Sequence, residues 1–116
     1  MKSIHMHEHT REEISGFASA GGAIVVALAA TEQHGPHLPV YTDTMIVNHI
    51  AAESVRQAGQ TVPILLGPVL SIGCSEHHLS FGGTLSLAPM TYFQVLRDIG
   101  ESLIKDGFRK IIFING

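Results

Sequence analysis

Three apolar runs set the terms for how this chain can fold, because each one follows a segment with helical periodicity. Residues 23–29 read Ala-Ile-Val-Val-Ala-Leu-Ala, with no polar side chain among them. A strand with one wet face would alternate; an unbroken run suits a central strand covered by helices on both faces, as in a parallel sheet. Residues 61–66 and 110–114 supply a second and a third strand. The order helix, strand, helix, strand, helix, strand predicts an α/β protein with a mostly parallel sheet. Right-handed crossovers then bring all three strand ends to one side, where open α/β sheets hold their ligands.

The helices carry their own punctuation. Thr10-Arg11-Glu12-Glu13 is a capping box opening a helix over 11–20, with Ile14, Phe17 and Ala18 on one face and Gly21-Gly22 as its stop. The second helix, 44–58, places Val47, Ile50, Ala51 and Val55 on one stripe and turns Asn48, Glu53 and Arg56 away. The third opens at Pro89, a first-turn residue, buries Phe93, Leu96, Ile99, Leu103 and Ile104, and ends at Gly107. Pro63 lacks a backbone donor, so the second strand is an edge or begins near that residue. His5, His7 and His9 form a small tract of the kind that can bind metal, and read as a frayed, solvated terminus. His49 reads as a structural histidine and Cys74 as a small buried residue. Residues 69–89 exceed an ordinary connection, and a loop of that length rich in His, Ser and Gly reads as an ordered site loop.

Composition narrows the function classes. A chain of 116 residues, 45% hydrophobic, supports one domain, 1–116, and not two. The net charge is -3 and the Lys and Arg residues are scattered, so there is no nucleic-acid footprint. No apolar run approaches a membrane span. The first residues lack a signal-peptide core, and the single cysteine rules out an intrachain disulfide, which together predict a cytoplasmic protein. Eight histidines and twelve glycines in this length fit a polar site built from loops.

That site has a candidate. Glu32 and His34 follow the first strand two residues apart, so in an extended segment they face the same way. A turn through Gly35-Pro36 can return Asp43 to them. Carboxylate and imidazole ligands suit several divalent ions. Asp43 can bridge two such ions, with Glu32 on one and His34 on the other, and paired metals polarise a carbonyl and generate hydroxide at neutral pH. The same spacing also permits Glu32 and His34 to pair with each other or with backbone, with Asp43 only capping the helix. A second cluster, Glu76-His77-His78, offers a ligand, a proton shuttle or a substrate contact, or simply a solvated loop. Ser75 can hydrogen-bond a substrate carbonyl or amide; no base is assigned to make it a nucleophile. Gly73, Gly82 and Gly83 match no phosphate-binding motif.

These residues resemble a known family. Thr31-Glu32-Gln33-His34-Gly35-Pro36-His37-Leu38-Pro39 with Thr42-Asp43 resembles the signature of the creatininase (creatinine amidohydrolase) family. Gly73-Cys74-Ser75-Glu76-His77-His78 with Phe81-Gly82-Gly83-Thr84-Leu85-Ser86-Leu87 resembles its second motif, and residues 108–116 its strand leading to an Asn-Gly-His motif. The resemblance implies a three-layer α/β/α sandwich and two divalent metal ions, zinc, manganese or iron. It implies a metal-dependent hydrolase of non-peptide C–N bonds, in a cyclic amide or formamide, with metal-bound hydroxide as nucleophile. It implies Glu32 and His34 as terminal metal ligands, Asp43 as the bridge, Ser75 and His78 as substrate-binding residues with His78 also catalytic, and a homo-oligomer, often a hexamer. Phe81-Gly82-Gly83-Thr84 stands where many members have Phe-Pro-Gly-Thr, which removes no ligand. Members are about twice this length, in the usual domain range, so the chain is expected to be an N-terminal half, with another histidine, carboxylate and catalytic histidine beyond Gly116. A second expectation follows: a catalytically incomplete fragment acting as a metal-binding or assembly module.

Overall fold

The computed structural model describes residues 3–116. Its elements are α1 (Arg11–Ser19), β1 (Ala23–Leu28), α2 (Thr42–Ala58), β2 (Ile64–Leu70), α3 (Pro89–Asp106) and β3 (Lys110–Asn115). The strands form one sheet in the order β2-β1-β3, parallel throughout. β1 is central and buried along its whole length, as its unbroken apolar run requires. Val25, Ala27 and Ala29 face α2, against Val47, Ala51, Ala52 and Val55. Ile24, Val26 and Leu28 face the other way, onto Ala18 of α1 and Leu103 and Phe108. Helices therefore cover both faces, in the expected three-layer α/β/α arrangement. Each fully buried side chain such as Ile24 or Val26 contributes about 1.5–3 kcal/mol through removal of its surface from water. Among the described residues, no helix is long and apolar enough to cross a membrane.

The local signals decide several boundaries. Thr10 and Glu13 form the capping box reciprocally, Thr10 Oγ1 accepting from Glu13 N–H and Glu13 Oε2 from Thr10 N–H. Pro89 opens α3 as predicted, and Gly107 closes it with φ 110°, a left-handed conformation costly for any residue with a Cβ.

Other boundaries move. The second strand is not 61–66 but Ile64–Leu70, running through Gly67 and Pro68. Val25 pairs with Leu66 and Ala27 with Val69, so Gly67 and Pro68 together oppose Val26 as a bulge. Proline is tolerated at such a site because no ladder bond is asked of it. A Cβ on Gly67 would lie 2.8 Å from the Val25 carbonyl oxygen, so the bulge also needs a residue without a side chain. The second helix begins at Thr42, with Tyr41 as a cap that makes no side-chain bond, so Asp43 is inside the first turn and not the N-cap. Ile50, Phe93 and Ile104, expected in the core, are exposed, as are Ile112 and Phe113 of β3. Among the described residues the sheet has three strands, too few to cover these outward side chains of α2, α3 and β3. His49 is exposed rather than structural.

Residues 3–9 make defined contacts, contrary to the expectation that His5, His7 and His9 lie on a frayed terminus. Met6–Glu8 form a 3-10 turn. Leu66 N–H donates to the Ile4 carbonyl at 2.7 Å, His9 Nε2 lies 2.8 Å from the Ser3 carbonyl, and His9 Nδ1 is 3.3 Å from Glu13 Oε2. The cause is the position of β2 at the sheet's outer edge, whose unpaired backbone groups recruit another segment.

Candidate metal centre

The loop after β1 folds back on itself. Glu32 N–H donates to the Val40 carbonyl at 3.1 Å, and Thr42 N–H and Oγ1 both donate to the Pro39 carbonyl. This returns the chain beside its own start and delivers Asp43 into the first turn of α2, where the helix N-terminus favours a carboxylate. Thr44, 1% exposed, ties that turn to the strand end by donating from Oγ1 to the Ala30 carbonyl at 2.9 Å.

Glu32, His34 and Asp43 consequently meet: one ligand atom from each lies within 4.8 Å of the other two. His34 Nε2 stands 3.2 Å from Asp43 Oδ2. All three side chains are partly buried, and among the described residues no Lys or Arg ion pair is made by Glu32 or Asp43. Two carboxylates brought together with only imidazoles beside them form a cation-seeking set of hard oxygen and nitrogen donors. The observed geometry thus fits a divalent metal. The turn through Gly35-Pro36 does return Asp43 to Glu32 and His34, and Asp43 lies inside the first turn of α2 rather than at its N-cap.

The second loop, between β2 and α3, is ordered against the first. Thr31 Oγ1 donates to the Ser71 carbonyl at 2.6 Å, Leu85 N–H to the Thr31 carbonyl at 2.9 Å, and Gln33 N–H to Thr84 Oγ1 at 3.0 Å. Glu76–Phe81 form a 3-10 turn that carries His78 to the site. His78 Nε2 is 3.7 Å from Glu32 Oε2, and the His77 ring lies against that of His78 with centroids 4.1 Å apart. Glu32, His77 and His78 also have ligand atoms within 4.8 Å of one another. Glu76 faces solvent and is not part of either cluster. Ser75 is 2% exposed, its N–H bonded to Ser86 Oγ, so it braces the loop from inside. Cys74 is exposed, not buried as expected; the chain turns inward at the next residue, and the serine takes the buried place. His37 stays exposed on its turn.

Sequence reasoning missed Gln33. Its Oε1 accepts from Gly35 N–H at 2.9 Å and its Nε2 contacts His78 Nδ1 at 2.7 Å. Strict alternation would point Gln33 away from Glu32 and His34, and only the turn at Gly35 lets it share their side. The hydroxyls of Thr31 and Thr84, which stitch the two loops, were legible only as polar loop residues.

Known proteins are similar to this chain in sequence and in fold. The mycofactocin precursor peptide peptidase of Mycobacterium tuberculosis (strain CDC 1551 / Oshkosh) is 35% identical over 108 residues, covering 88% of this chain and 43% of the relative. The 3-dehydro-scyllo-inosose hydrolase of Thermotoga maritima is 31% identical over 115 residues, covering 97% of this chain and 35% of the relative. A solved manganese form of creatininase superposes with a TM-score of 0.88 at 27% identity, covering 99% of this chain and 46% of that one. The chain thus spans less than half the length of the relatives it matches. The family model for creatininase, described as creatinine amidohydrolase, matches residues 7–116, and by that match this chain belongs to the creatininase family.

Proposed function

We propose that this chain forms part of a metal-dependent hydrolase of non-peptide C–N bonds, acting on a cyclic amide or a formamide. The observation that carries the reading is the convergence of Glu32, His34 and Asp43, with no Lys or Arg ion pair to either carboxylate among the described residues. Glu32 and His34 would each hold one divalent ion and Asp43 would serve both, with zinc, manganese or iron as the ions that such donors accept. Bound there, such a pair supplies Lewis acidity and lowers the pKa of water. This chain's residues do the positioning. The first loop and α2 fix the ligands, Thr44 holds the helix start against the strand end, and His78 faces Glu32 from the second loop. His78 is the residue placed to contact a substrate amide at the metal edge, as both substrate-binding and catalytic group, while Ser75 shapes the pocket wall from behind. The likeness to the solved manganese creatininase supports divalent ions as the cofactor. An exposed free Cys74 suits a reducing cytoplasm.

The test is His34→Ala in the whole protein. Metal content measured by elemental analysis should fall, and turnover on a panel of cyclic amides and formamides should vanish. Full metal loading and full turnover in that variant refute the ligand assignment.

A second reading rests on a separate observation, the exposed Ile112 and Phe113 on the outer strand β3 with Phe93 and Ile104 on α3. In it, the chain by itself is a metal-binding or assembly module, and the whole protein is a homo-oligomer. Native mass of the chain and of the whole protein separates the two: an associating chain that binds metal weakly and is inert on cyclic amides favours the module.

A further inference from the structure

Glu32, His77 and His78 have the spacing of a second metal-binding group, and His78 is hydrogen-bonded to Gln33 of the first loop. Whether His78 ligates, shuttles a proton or only donates a hydrogen bond depends on which ring nitrogen bears hydrogen. Gln33 decides this. A backbone N–H has no choice of role, so the Gly35 N–H, 2.9 Å away, must be met by the amide oxygen of Gln33. The amide nitrogen is then the atom that faces His78 Nδ1 at 2.7 Å. An NH2 group donates and cannot accept. His78 Nδ1 must therefore offer its lone pair, and the ring hydrogen resides on Nε2. That nitrogen is the one facing Glu32 Oε2, at 3.7 Å.

We infer that Gln33 is a positioning residue that holds the ring hydrogen of His78 on Nε2, directed at the metal edge of the site. Two consequences follow. Nε2 has no lone pair to give, and Nδ1 is occupied, so His78 is not a metal ligand despite the favourable spacing with Glu32 and His77. With its hydrogen on Nε2, His78 also acts as a hydrogen-bond donor that holds and polarises a substrate carbonyl. Flipping the Gln33 amide to suit the other tautomer would set its NH2 against the Gly35 N–H, two donors face to face, which is the restoring force of the lock.

The catalytic part of this inference rests on the hydrolase reading, but the lock does not. Neutron diffraction from deuterium-exchanged crystals of the whole protein reads it directly. Deuterium on Nε2 and none on Nδ1 is expected in the unaltered protein, which needs no variant to fold. Deuterium on Nδ1 overturns the inference, whatever the protein hydrolyses. Gln33→Glu supplies a carboxylate that still accepts from Gly35 N–H but now also accepts from the ring, so the deuteron should appear on Nδ1. Retention on Nε2 alone in that variant would show that Gln33 does not set the tautomer. A protein with the expected map but no amidohydrolase activity leaves the lock standing and rejects only the hydrolase reading.

Discussion

Replacing Thr44 tests the link between the fold and the proposed metal centre. The side chain is 1% exposed and donates to the Ala30 carbonyl at 2.9 Å, which fixes the first turn of α2, and with it Asp43, against the end of β1. Thr44→Val keeps the shape and removes only that hydrogen bond. A typical net hydrogen bond is worth about 1 kcal/mol, with more lost when the abandoned partner stays buried. Ala30 is only partly buried, and a loss of about 1–1.5 kcal/mol is expected. Thr44→Ser makes the complementary change: it keeps the hydroxyl and deletes one methyl, at about 0.5–1.5 kcal/mol. The two variants therefore cost similar stability by denaturant titration of the metal-free protein. They should part company in metal binding. Loss of a group that orients a ligand typically lowers affinity by about 10-fold or more, so Thr44→Val should release metal to a chromophoric chelator about 10-fold more readily, and Thr44→Ser should not. Equal affinities in the two variants would refute the claim that this bond positions Asp43.

Three further outcomes follow from the same structure. Gly107→Ala forces a Cβ into the left-handed turn that ends α3, and the denaturation midpoint should report a loss of about 1–3 kcal/mol. Burial, with a smaller contribution from Cys74, raises the Tyr92 phenol above its ordinary 10.0. The folded state therefore favours the neutral ring: this stabilisation is complete below 10.0 and is lost as pH rises through the raised folded value. Alkaline denaturation curves of Tyr92→Phe should lack that decline, and an unchanged slope would reject the assignment. Stripping divalent ions with a chelator should lower the melting temperature of the whole protein, since a ligand at about 100 times its Kd stabilises by about 2.7 kcal/mol. The His34→Ala variant should show no such shift.

Much of the fold was legible because it depends on local pattern. The unbroken apolar run of β1 implied burial on both faces, and Thr10, Glu13, Pro89 and Gly107 act within a single turn of backbone. What failed was burial at a distance. Helical periodicity marked Ile50, Phe93 and Ile104 as core, but periodicity gives a face and not what lies opposite it. The bulge at Gly67-Pro68 was unreadable for a related reason: a proline that ends an isolated strand is tolerated where a neighbouring strand asks nothing of its nitrogen.

The site divides in the same way. The residue types and the two-residue spacing of Glu32 and His34 identified a cation-seeking loop, because ligand chemistry is written in side chains. Tertiary structure alone decided that Asp43 enters from the first turn of α2, that Thr44 anchors it, and that His78 arrives from a loop 45 residues away to be met by Gln33. A hydrogen bond between distant residues depends on where two backbones come to rest, and that is set by the packing of β1 against both helical layers, which no local stretch of sequence encodes.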